Sequence, residues 1–181
     1  MGKLYFLVGL ARSGKSVFAQ KWINQEIDII DNSLFITKSK NFMTHQTYIP
    51  RTIVCADDIR LSLGHRWNGH VEPFVNAIKL TMIKSLLYKH DVLVDGTHTT
   101  PKSILELLNI DKNALPFVMN TSPQICKQRA KETNQEDLYP VIDRMYNQML
   151  EMSQCEYIKI NNIVKVIDEL RSKVQSTTIR D

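Results

Sequence analysis

Eight residues near the start of the chain, Gly9-Leu10-Ala11-Arg12-Ser13-Gly14-Lys15-Ser16, follow the pattern GxxxxGK[ST] in full. Each fixed position does work that depends on its residue type. Gly9 and Gly14 let the backbone turn so that successive N–H groups point inward at an anion. Lys15 offers a mobile cation to phosphate oxygens, and the Ser16 hydroxyl is a hard ligand for Mg2+. The run as a whole is a cradle for a nucleoside polyphosphate. It works only where a strand delivers the chain into it and a helix leaves it with its positive end toward the anion.

Three further groups could act on a phosphoryl group held there. Asp57 follows a buried-strand pattern, where a carboxylate at a sheet's carboxyl edge can orient and deprotonate a hydroxyl. Arg60 stands three residues on, one helical turn away, and brings a guanidinium suited to a phosphate. The bland alternative is that Asp57 or Asp58 caps a helix and Arg60 is a surface residue. Asp95 ends another strand and fits the acid that holds the magnesium water shell, with Thr97 and His98 near enough to contact ligand. An Asp before Gly96 also suits an ordinary turn. Arg129, with Lys131, ends a helix before a polar loop, where a lid could bring positive charge onto the phosphates. A solvated helix face is the competing reading.

The elements that must position these residues alternate. Leu4-Tyr5-Phe6-Leu7-Val8 reads as a strand covered on both faces, and 14–24 as a helix with Val17, Phe18 and Trp22 along one side. A hairpin over 27–36 with its turn at Asp31-Asn32-Ser33 precedes a polar stretch from Thr37 to Thr47. Strand patterns follow at 51–56, 92–94 and 117–119, with helices at 57–63, 72–89, 101–108, 122–131 and 138–152. In the second of these helices the apolar stripe is Val75, Ile78, Met82, Ile83, Leu86 and Leu87. Residues 157–160 suit an edge strand and 163–174 a closing helix. The pattern predicts one α/β domain over residues 1–181, three layers deep, with a mainly parallel five-stranded sheet whose ligands bind at the strands' carboxyl ends.

Composition agrees and excludes other classes. At 181 residues and 43% hydrophobic content the chain can enclose a core, and a net charge of +4 favours anionic ligands without choosing between ATP and nucleic acid. Cys55, Cys126 and Cys155 are odd in number and unpaired in spacing, which predicts neither a disulfide framework nor a zinc site and points to a reducing cytoplasm. No apolar run approaches a membrane span, and no metal-type histidine spacing occurs.

Taken together, the loop 9–16, the run Cys55-Ala56-Asp57-Asp58-Ile59-Arg60, the run Val94-Asp95-Gly96-Thr97-His98 and the Arg129 helix resemble the 5′-hydroxyl polynucleotide kinase domain of phages, over about residues 3–150 with 26–50 omitted. The resemblance implies an adenylate-kinase-like topology, ATP and Mg2+ as cofactors, and 5′-OH ends of DNA or RNA as acceptors, in the host cytoplasm for a phage-encoded chain. It casts Asp57 as general base, Arg60 as contact to an acceptor phosphate, and Arg129 as a lid arginine beside Lys15. Thr133 stands where that family carries a second lid arginine, with Lys131 or Arg144 as substitutes, His98 stands in place of its usual Asn, and beside that family 26–50 look inserted. A kinase of a nucleoside, a deoxynucleoside monophosphate or another small hydroxyl compound shares most of the pattern, and a non-catalytic nucleotide-gated module is a third reading. A homo-oligomer is compatible with all three.

Overall fold

The computed structural model describes residues 2–30, 33–36, 49–154 and 160–178. Four strands form a parallel sheet in the order β4-β5-β1-β6, where β1 is Leu4–Val8, β4 Arg51–Cys55, β5 Asp91–Asp95 and β6 Leu115–Val118. A separate antiparallel hairpin pairs β2 (Ile27–Ile30) with β3 (Ser33–Ile36), as the sequence predicts.

Strand alternation accounts for the layers. Leu4, Phe6 and Val8 of β1, with Val92 and Val94 of β5, point into one core, while Tyr5, Leu7 and Leu93 point into the other. The first core is closed by α3 (Glu72–Leu86), α4 (Pro101–Leu108), α5 (Pro123–Lys131), α6 (Tyr139–Ser153) and α7 (Ile160–Thr178), which supply Ile83, Ile104, Cys126, Ile142 and Ile163. The second is closed by α1 (Lys15–Ile23) through Phe18, Ala19 and Trp22. Helices thus cover both faces, the third layer that parallel strands require. Arg51 ties the hairpin to this frame: its guanidinium donates to the carbonyls of Trp22 (2.7 Å) and Ile27 (3.1 Å) and lies over the Trp22 ring.

Several expectations are corrected. The sheet has four strands among the described residues, not five; of the expected edge strand, 157–159 lie outside those residues and Ile160 opens α7. Strand β6 starts two residues earlier than expected, because Pro116, which cannot donate to a ladder, is tolerated on an edge strand. Of the apolar side expected for α1, Phe18 and Trp22 face inward, whereas Val17 is 64% exposed. In α3 the buried line runs through Val75 and Ile83 to Leu87, with Ile78 and Met82 largely outside it. No helix among the described residues is long and apolar enough to cross a membrane.

Candidate active site

The glycine loop leaves β1 and is fastened on both sides. The Gly9 N–H donates to the Thr97 carbonyl beyond β5 (2.9 Å), and Thr121 Oγ1 donates to the Ser13 carbonyl (2.9 Å). A Cβ on Gly9 would meet the Cβ of Met119 at 2.9 Å, so packing admits no side chain there. Gly14 takes φ 99 as the N-cap of α1 and starts the helix with no side chain over its N–H groups. Leu10 and Ser13 are buried within the loop, and Ala11 packs on the core.

Lys15 is buried and closes on its own loop, donating to the carbonyls of Leu10 (2.5 Å) and Gly9 (3.3 Å) and to Ser13 Oγ (3.4 Å). Burial pulls its ammonium below the ordinary lysine range, while Asp95 pulls the other way. Asp95 is itself pushed up by burial and held down by a hydrogen bond from Ser16 and by the Lys15 charge. A side-chain-free cradle, a buried ammonium and the oxygen pair Ser16–Asp95 fit a Mg2+-polyphosphate. Among the described residues no group of three or more His, Cys, Asp or Glu could hold a metal by itself, so Mg2+ here would share its ligands with phosphate, as that ion commonly does.

The next strand end carries Asp57 and Arg60 on α2 (Ala56–Ser62). Cys55, not an aspartate, is the N-cap of that helix, and it makes no side-chain cap bond, so the capping reading of Asp57 fails. Nor is Arg60 a surface residue: it is 8% exposed, and its guanidinium donates to Asp57 Oδ1 (2.5 Å) and, as a fork, to both carboxylate oxygens of Glu72 (2.7 and 2.9 Å). The Asp57 side chain is 80% exposed, with one oxygen held by Arg60.

Thr97 and His98 part company. Thr97 stays half-buried at the rim. His98 adopts φ 40 and is 6% exposed, with Nδ1 2.7 Å from the Leu7 carbonyl and its ring edge-on to Phe6. A Cβ on Gly96 would strike the imidazole at 2.7 Å, so the glycine is needed where the ring tucks under the turn. Burial drives His98 down to about 4, and the ring is a neutral floor to the site.

Across the loop, Arg129 NH1 donates to the Arg12 carbonyl (3.2 Å), and Arg12 NH2 donates to the Arg129 carbonyl (3.3 Å) and to Thr133 Oγ1 (2.7 Å). These three line a cavity of about 270 Å3 with Lys15 and Ser16. The second guanidinium beside the phosphate loop is thus Arg12, from the loop itself. Of the substitutes expected for it, Lys131 lines neither this cavity nor its neighbour, and Arg144 lines a different one, of about 350 Å3, with Asp95, Thr97 and His98.

An α/β sheet with a glycine loop after its first strand, acids at the ends of β4 and β5, and an arginine on α5 is a recurrent design. The whole chain superposes on 46% of a chain in the structure of the Pnkp1/Rnl/Hen1 RNA repair complex, with TM-score 0.55 and 17% identity. In another structure of the Pnkp1/Rnl/Hen1 complex, 71% of this chain matches 39% of that chain at TM-score 0.53 and 20% identity. A gluconokinase from Sinorhizobium meliloti 1021 matches 99% of this chain over 97% of its own, at TM-score 0.50 and 11% identity. The fold is that of the P-loop kinases. The chain spans less than half the length of the RNA-repair chains it matches. No protein-family model and no curated protein matches it.

Sequence reasoning passed over Glu72, Lys79 and the bond between Thr99 Oγ1 and Gln148 (2.7 Å), because each reaches the site from a distant helix. Lys79 carried a signal: it lies four residues from both Val75 and Ile83, a cation in a buried stripe.

Proposed function

We propose that this chain is an ATP-dependent 5′-hydroxyl polynucleotide kinase. One observation carries the reading: an exposed Asp57 carboxylate, held by a buried Arg60, stands at the end of the strand beside the Asp95–Ser16 pair. That is where a base must stand to meet a hydroxyl approaching a phosphate held on Lys15. Bound Mg2+-ATP supplies the γ-phosphoryl group. Asp57 would orient the 5′-hydroxyl and take its proton as that oxygen bonds to the γ-phosphorus and the bond to the β-phosphate oxygen breaks to leave ADP; Lys15, Arg129 and Arg12 would offset charge on the phosphate oxygens, and Ser16 with Asp95 would hold the metal. Arg60 first fixes Asp57, and it reaches an acceptor phosphate only when Glu72 yields. The match to chains from RNA-repair complexes favours a nucleic-acid acceptor.

A kinase of a small hydroxyl compound is the second reading. It is favoured by the gluconokinase, whose length this chain matches almost fully. Transfer of labelled γ-phosphate to 5′-OH DNA and RNA oligomers, run beside nucleosides, nucleoside monophosphates and gluconate, decides between them. Oligomer labelling that falls by a factor of about 100 or more in Lys15→Ala and Asp57→Asn is the expected result. Labelling of small molecules alone establishes the second reading, and Asp57→Asn that labels oligomers as well as the parent refutes Asp57 as base.

A further inference from the structure

Beyond Asp95 lies the cavity of about 350 Å3, the size of a small-ligand site, and two of its wall residues have no part in holding a nucleotide. Lys79 enters from α3 and Arg144 from α6, facing a polar wall of Thr99, Thr100, Ser103 and Gln148. Among the described residues neither cation makes a hydrogen bond or ion pair. Lys79 is half-buried, because Val75 and Ile83 on either side of it are core residues. Burial holds its ammonium below the ordinary lysine range, and Glu106 and Glu72 act on it only through space. A half-buried ammonium facing an open polar cavity is costly to maintain unless an anion completes it.

Arg60, the cation nearest the base, is already matched by Asp57 and Glu72. Lys79 and Arg144 are the unmatched pair. Ala56, next to Asp57, and Asp95, at the end of the neighbouring strand, line the same cavity, so a group seated there is a short reach from a hydroxyl at Asp57. We propose that this cavity is an anion subsite of the acceptor: it binds a phosphate or carboxylate carried by the molecule whose hydroxyl is phosphorylated, through Lys79 and Arg144. The inference rests on the kinase reading of the site but on neither choice of acceptor. An internucleotide phosphate and the carboxylate of a small acid share the chemistry.

The test has a binding arm and a turnover arm. Inorganic phosphate is titrated calorimetrically into the full chain saturated with ADP and Mg2+, using the parent, Lys79→Met, which keeps the buried stem, and Arg144→Ala, an exposed position. The subsite predicts a phosphate site in the parent that weakens at least about tenfold in each variant, the worth of a charge-assisted hydrogen bond. No phosphate site in the parent, or equal affinity in all three folded proteins, overturns it. In turnover, thymidine 3′-phosphate is compared with thymidine, and gluconate with glucose. A preference for the anionic member that collapses through KM in both variants, with kcat nearly unchanged, supports the subsite, and the pair that shows it identifies the source of the anion. Preference through gluconate alone keeps the subsite and removes the polynucleotide reading. Oligomer labelling with KM untouched in both variants keeps that reading and removes the subsite.

Discussion

His98 shows how much of a residue's task its surroundings decide. A histidine after Asp-Gly-Thr invites a ligand contact; its ring lines the cavity beside Asp95, while Nδ1 is engaged by the Leu7 carbonyl and the ring packs against Phe6 and the underside of Gly96. Its neutrality carries a pH signature. With its ionisation pushed from 6.5 to about 4 by burial, the unfolded chain binds the extra proton between those values and the native chain does not. The sign follows: the stability that neutral His98 lends is whole above about pH 6.5 and is lost as pH falls toward 4. At 1.4 kcal/mol per unit this is ~3 kcal/mol. Melting temperatures of the parent and His98→Gln, measured from pH 7.5 to 4, should show a fall in that window for the parent that is smaller in the variant. Parallel curves would refute the assignment. Lys15, Ser16, Gly9 and Gly14 were legible from sequence because their roles depend on local backbone, which a short pattern encodes. Glu72 as partner of Arg60 was not, because the pairing is made by two helices meeting.

At the scale of elements, sequence periodicity located every described strand and α-helix, passed over the short 3-10 turn Glu136–Leu138, and erred where tertiary context decides. Leu115 and Pro116 belong to β6 because the sheet places that strand on an edge, a fact no local window contains. The stripe of α3 is narrower than its apolar content because Ile78 and Met82 face outward, and a lysine takes the inward place between Val75 and Ile83. The joint between α2 and α3 is where an element-scale consequence can be measured. Arg60 fastens the two through Glu72, whose carboxyl is drawn below its ordinary range by the guanidinium. Such a depressed acid contributes stability present above its unfolded value near 4.5 and lost as pH falls through the lower folded value. Glu72→Gln should lower unfolding free energy by about 1–3 kcal/mol at pH 7, with a smaller difference at pH 3. Denaturant melts at both pH values check this; a deficit independent of pH would mean that packing, not the ion pair, is what the variant disturbs.

For the whole molecule, the two cores on opposite faces of one sheet make the strand ends a rigid rim. The polyphosphate cradle is the part of that rim most in need of an anion. Ligand that binds only the native form adds RT ln(1 + [L]/Kd), about 2.7 kcal/mol at a hundredfold excess over Kd, and for a chain of this size each kcal/mol moves Tm by roughly 2–4 °C. Mg2+-ADP at that excess should raise Tm by roughly 5–10 °C in the parent and far less in Lys15→Ala; equal shifts in scanning calorimetry would place the nucleotide elsewhere.

The rim also has a seam. The Gly9 N–H donates to the Thr97 carbonyl, and Ser16 lies close enough to Asp95 to hold its ionisation down, so the glycine loop and the turn that floors the neighbouring cavity are tied to each other. Displacement on one side of the seam must be answered on the other. Coupling of this kind is reciprocal by thermodynamic necessity: whatever factor nucleotide imposes on acceptor affinity, acceptor returns to nucleotide. On the kinase reading proposed above, a chain joined in this way does not bind its two substrates as strangers.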